Sequence, residues 1–106
     1  MASTPQSDKH LSRVLTILQD ALAGLDYRLY LFGSRATGRY RPSSDYDIAV
    51  EAHVDVARRL SHAREALEES TIPLQVDLVD MADASLALRQ QVQREGVEIW
   101  SGSASA

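Results

Sequence analysis

The apolar patterning of the chain predicts an α/β domain, a mixed four-stranded sheet with flanking helices. Two stretches, Leu11–Leu22 and Val56–Leu67, repeat apolar residues at helical spacing. Four short apolar or alternating runs, at 28–32, 48–50, 74–79 and 97–100, read as strands. Helical and extended stretches interleave along the chain, the mark of helices layered on a sheet.

With 106 residues the chain makes one domain, able to bury roughly two-thirds of its unfolded surface. Its 44% hydrophobic and 25% charged content is ordinary for a globular protein. No apolar run approaches the ~18 residues of a membrane span, and the N-terminus has no signal-peptide core. The absence of cysteine excludes disulfides and zinc–thiolate sites, so a cytoplasmic location is expected. A net charge of −4 argues against an extended nucleic-acid surface. The expected division is a flexible N-terminus (1–7), one domain (8–100) and a flexible small-residue tail (101–106).

In chain order, Ser7 or Asp8 caps a helix that buries Leu11, Val14, Leu15, Leu18 and Leu22 and ends at Gly24. His10 precedes the apolar stripe and is expected in solvent. Arg28–Phe32 forms the first strand. At Gly33 that strand must turn, and glycine opens backbone conformations closed to other residues. Ser34 is expected to cap a short helix that stops at Gly38, leaving backbone N–H groups to face an anion. Arg35, Arg39 and Arg41 surround this turn and can neutralise phosphate or simply stand exposed. Tyr40 either packs under the loop or stacks on a base.

A second strand follows, opened by two acids one residue apart. In extended backbone Asp45 and Asp47 share one face while Tyr46 and Ile48 share the other. Adjacent like charges are relieved by a cation, and hard carboxylate oxygens suit Mg²⁺. Glu51 lies on the same face and is expected to be solvated or paired. Asp55 caps a helix to about Glu69, with Val56, Leu60, Ala63 and Leu67 inward. His53 and His62 have no ligand spacing with the acids. Thr71–Pro73 turns into a third strand with Leu74, Val76 and Leu78 on one face. Asp77 then lies mid-strand on the other, where a lone charge calls for a partner or a metal. Asp80 and Asp83 are expected to cap or favour the start of a last helix to Arg94, which turns Leu88 and Val92 inward. Gly96 ends that helix, and Val97–Trp100 adds a short strand.

Taken together, Gly33-Ser34-Arg35-Ala36-Thr37-Gly38, then Ser44-Asp45-Tyr46-Asp47, then Asp77 resemble the minimal nucleotidyltransferases of the DNA polymerase β-like superfamily. Their pattern is GSxAxG, a short loop, SDxD and a third Asp on a neighbouring strand. The resemblance extends from Leu11 to Trp100, and the closing Arg94–Trp100 segment is similar as well. It implies a minimal nucleotidyltransferase fold with Asp45, Asp47 and Asp77 as catalytic and metal-binding residues, two Mg²⁺ ions and ATP as substrate. It further implies that Gly33, Ser34, Arg35 and Ser44 bind the nucleotide. A domain this small resembles the antitoxin of HEPN/minimal nucleotidyltransferase toxin–antitoxin pairs. The resemblance implies transfer of AMP from ATP to a tyrosine hydroxyl of a HEPN-family toxin. Two other functions stay open at this point: a non-catalytic module that inhibits a partner by contact, and a small-molecule nucleotidyltransferase that acts as a dimer.

Overall fold

A computed structural model describes residues 9–38 and 45–102. The first element, α1 (Lys9–Ala21), turns Leu11, Val14, Leu15 and Leu18 to one side, as the spacing expects. Leu22 completes the stripe, its N–H donating to the Leu18 carbonyl at 2.9 Å. His10 is half-buried where solvent was expected, because the first turn of α1 lies against the domain.

Four strands form one sheet in the order β3-β2-β1-β4: β1 (Tyr27–Phe32), β2 (Tyr46–Ala52), β3 (Val76–Asp80) and β4 (Val97–Gly102). β1 pairs antiparallel with both β2 and β4, whereas β2 and β3 are parallel. The expected mixed four-stranded sheet is therefore the one observed. A parallel pair needs a crossover, and α3 (Ala57–Glu69) supplies it. The Asp55 carboxylate accepts the Ala57 N–H at 2.9 Å and so turns the chain into α3.

The two faces of the sheet are packed unequally. On one face Leu29 and Leu31 of β1, Ile48 and Val50 of β2, Leu78 of β3 and Ile99 of β4 meet the apolar stripes of α1 and α3. Leu60 and Ala63 are the fully buried contribution of α3. β4 carries a bulge opposite Leu29–Tyr30, where Trp100 pairs with Leu29 and Glu98 with Tyr30. The extra residue, Ile99, is turned into this core, and Trp100 stacks on Tyr27 with ring centroids 6.5 Å apart. On the other face α4 (Leu86–Glu95) closes a small cluster of Phe32, Ala49 and Val92, with Tyr30, Val79, Met81 and Leu88 at its margin.

One helix start and one strand end differ from expectation. Ser85, and neither Asp80 nor Asp83, caps α4, its hydroxyl accepting the Leu88 N–H at 3.2 Å. Asp80 is still in the turn that ends β3, where its carboxylate accepts the Ala82 N–H at 3.0 Å. β4 also runs through Ser101 and Gly102, two residues beyond Trp100, because β1 offers Arg28 and Tyr27 as pairing partners there.

Candidate active site

The site begins where β1 ends. Gly33 has φ 76°, a conformation that L side chains rarely adopt, and the chain turns there into α2 (Ser34–Thr37). Gly33 itself stands at the cap position. Its carbonyl accepts the Ala36 and Thr37 N–H groups at 3.1 and 3.2 Å. Ser34 is the first residue of the helix rather than its cap, since Gly33 makes the turn one residue earlier. Gly38, left-handed, ends α2 as expected.

Directly behind Gly33 lies Asp47. A Cβ on Gly33 would collide with the Asp47 carboxylate, so glycine is needed here for space as well as for φ. Sheet register explains the approach: Phe32 is the antiparallel partner of Asp47, and the chain turns one residue later. On the other side of β2, Asp47 is in parallel register with Asp77. Asp77, Asp47 and the Phe32–Gly33 corner therefore form a row across three strands, on the face that carries α4. Asp45 precedes β2 and is exposed. Tyr46, between the two acids, is buried in the opposite core, which fixes the alternation that keeps Asp45 and Asp47 together.

Asp77 is exposed, where a mid-strand position suggested burial, because β3 is an edge strand with a neighbour on one side only. The Gln75 amide donates to its carboxylate at 3.3 Å.

Electrostatically the row is strained. Partial burial pushes the Asp47 carboxyl above the usual carboxylate range, and the charges of Asp77, Asp45 and Glu95 push it further. Among the described residues, no Lys, Arg or His lies within ion-pair distance of Asp45, Asp47 or Asp77. No three acidic or histidine side chains among the described residues are drawn close enough together to enclose a cation. The donors are nonetheless all hard oxygens on one face, beside a glycine corner without a side chain, and this is a set that suits a divalent cation and a phosphate oxygen.

The other sequence candidates divide. Arg35 does not enter the acid row: its guanidinium lies over the Tyr46 ring, 4.2 Å from the centroid, on the side of β2 away from Asp47. Ser44, together with Arg39, Tyr40 and Arg41, lies outside the described residues. Glu51 is exposed, as are His53 and His62. The residue that sequence reasoning missed is Glu95, the last of α4, whose charge reaches Asp47. An acid at the end of a surface helix carries no local signal. It is legible only once Val97, two residues on, is known to pair with Leu31, next to the Phe32 that is the partner of Asp47.

Among the described residues no helix is long and apolar enough to cross a membrane. The family described as polymerase beta, nucleotidyltransferase matches residues 27–105. The chain is 36% identical over 104 residues to the Haemophilus influenzae protein named "Probable protein adenylyltransferase MntA", covering 93% of this chain and 89% of that one. It is also 36% identical to the Shewanella oneidensis protein adenylyltransferase MntA, over 84% of this chain but only 63% of the relative. Among solved structures, a toxin–antitoxin complex with AMP-PNP superposes with a TM-score of 0.69 at 33% identity, covering 89% of this chain and 75% of that one. A minimal nucleotidyltransferase structure superposes at 0.60 with 30% identity, covering 81% and 88%. A complex of tri-AMPylated Shewanella oneidensis HEPN toxin with its MNT antitoxin superposes at 0.65 with 31% identity, covering 93% and 74%.

Proposed function

The chain belongs to the polymerase beta nucleotidyltransferase family, and on that premise we propose that it transfers AMP from ATP to a tyrosine hydroxyl of a HEPN-family toxin and so acts as its antitoxin. The observation that carries the site assignment is the row of Asp77 and Asp47 in register, closed by Gly33. The similar complex with a tri-AMPylated HEPN toxin supports the acceptor class, and the similar complex with AMP-PNP supports an adenine nucleotide as donor.

In this reading Asp45 and Asp47 hold divalent cations, two Mg²⁺, with Asp77 as the third ligand. When bound, such cations neutralise the charge that develops on a transferring phosphoryl group. Gly33 and Ser34 receive the terminal phosphates at a corner where no side chain intrudes, and Ser44, next to Asp45 in sequence, is a further proposed nucleotide contact. Arg35 is a proposed phosphate contact that must first leave Tyr46; in its stacked position it holds α2 against β2. Asp77, exposed at the sheet edge, orients the acceptor hydroxyl and accepts its proton. The acceptor oxygen bonds to the α-phosphorus, the bond to the β-phosphate oxygen breaks in line, and pyrophosphate leaves.

The test is incubation of the purified chain with α-labelled ATP, Mg²⁺ and a candidate HEPN-family partner. Label on a partner tyrosine is the expected result. Stable co-elution with no label would instead make the chain a contact inhibitor.

A further inference from the structure

The proposed site has a fourth acid. Glu95 ends α4 and is half-buried. Three features of the fold place it. Val92, one turn earlier, packs on Phe32 and Ala49 and so anchors the helix over β1 and β2. The junction after it is tight: the Gly96 N–H donates to the Val92 carbonyl at 2.7 Å, and a Cβ on Gly96 would strike that same oxygen. Two residues on, Val97 enters β4 opposite Leu31, next to the Phe32 that pairs with Asp47. Glu95 thus closes the β1 side of the acid row as Asp77 closes the β3 side.

Stability alone does not account for an acid here. A carboxylate at a helix C-terminus opposes the helix dipole. Its charge also reaches Asp47, which already feels Asp45 and Asp77. Among the described residues no cation pairs with it. Yet it is held in place: the Gln91 side-chain amide donates to the Glu95 carboxylate at 2.6 Å, one turn back along α4. An unfavourable charge that the fold takes care to orient is a common signature of a functional position.

We propose that Glu95 is a positioning residue of the cation site, a carboxylate that faces the water shell of a divalent ion held at Asp45 and Asp47 and reserves the Gly33 corner for cation-loaded nucleotide. Gln91 serves as its orienting partner. An acid beside the phosphate corner repels bare triphosphate and favours the metal complex, and carboxylates outside the direct ligand set commonly set ion affinity. The inference rests on the reading of Asp45 and Asp47 as cation ligands.

The test is Mn²⁺ binding by calorimetry, without nucleotide, to the wild type, Glu95→Gln, Glu95→Asp and Asp47→Asn. Glu95→Gln is expected to weaken Mn²⁺ binding on the order of tenfold, with Glu95→Asp intermediate because it keeps the charge. Thermal melting in the absence of cation checks the fold, and Glu95→Gln should melt at or above the wild-type temperature because it removes a like charge. In labelling assays the Mg²⁺ concentration for half-maximal rate should rise in the same ratio, with rate recovered by excess Mg²⁺. Wild-type Mn²⁺ affinity in Glu95→Gln overturns the inference. A rate loss in that variant that excess Mg²⁺ fails to recover overturns it as well. Asp47→Asn separates the two levels: if it too binds Mn²⁺ like the wild type, the cation reading of the acid row has failed; if it alone loses binding, only the role of Glu95 has.

Discussion

The two faces of the sheet are built to opposite rules. Toward α1 and α3, every strand turns apolar residues into one continuous core, and Leu29, Ile48, Val50 and Leu60 are fully buried. Toward α4, the cover is a three-residue cluster, and beyond its edge the sheet carries Asp47, Asp77 and the approaching Glu95. The first face gathers burial; the second gathers like charge. Fold stability and proposed chemistry are thereby separated by the thickness of one sheet, with alternation along β2 assigning Tyr46 and Ile48 to one task and Asp47 to the other.

That separation can be broken deliberately. Replacing Asp47 with Asn should have the largest effect, a fall in AMP transfer of at least roughly a thousandfold, on the scale seen when a charged catalytic group is removed. The same variant should melt at a higher temperature, because it relieves burial of the charge and its repulsion from Asp77, Asp45 and Glu95. Labelling and calorimetry on one preparation check both halves.

Leu60→Ala, on the closed face, should do the reverse. It is expected to cost about 2–5 kcal/mol in denaturant unfolding through cavity formation, while labelling well below its melting temperature persists. Gly33→Ala touches both faces of the problem. Its Cβ displaces the Asp47 carboxylate and its φ is unsuited to a side chain, so transfer should drop on the order of a hundredfold with a stability loss of about 1 kcal/mol.

A smaller effect lies in pH. Asp47 is shifted up from an ordinary carboxylate at 3.8. Between that value and its raised one, the folded chain binds more protons than the unfolded chain. Stability is therefore lost as pH rises through this window, and Asp47→Asn should flatten that part of the stability profile. Unfolding titrations at a series of pH values measure the slope. A profile unchanged by the substitution would mean that the row is less strained than its geometry indicates. Least of all, Arg35→Ala should cost only about 0.5–1 kcal/mol by removing the stack on Tyr46.

What the sequence made legible follows the range of the signal. Asp45 and Asp47 are two residues apart, and extended backbone places them on one face whatever the rest of the fold does. Gly33 was readable as a corner because a strand pattern stops there. Asp77 required a guess at strand pairing. Its face came out as expected, but its exposure did not, since nothing local says that β3 is an edge. Ser85 took the cap expected of Asp80 or Asp83 because helix start depends on where the turn after β3 closes. Glu95 was invisible for the same reason in stronger form: its neighbours are 48 positions upstream in β2 and across the β1–β4 pairing. Periodicity reports faces; only register reports which residues of different strands meet.

The most direct test of the acid row is a crystal structure of the chain with Mn²⁺ and a non-hydrolysable ATP analogue, read by anomalous scattering. The expected result is manganese at coordination distance from Asp45 and Asp47, with Asp77 beside it and the analogue's terminal phosphates at Gly33. Manganese absent from that row, with the nucleotide seated elsewhere on the domain, would contradict the account.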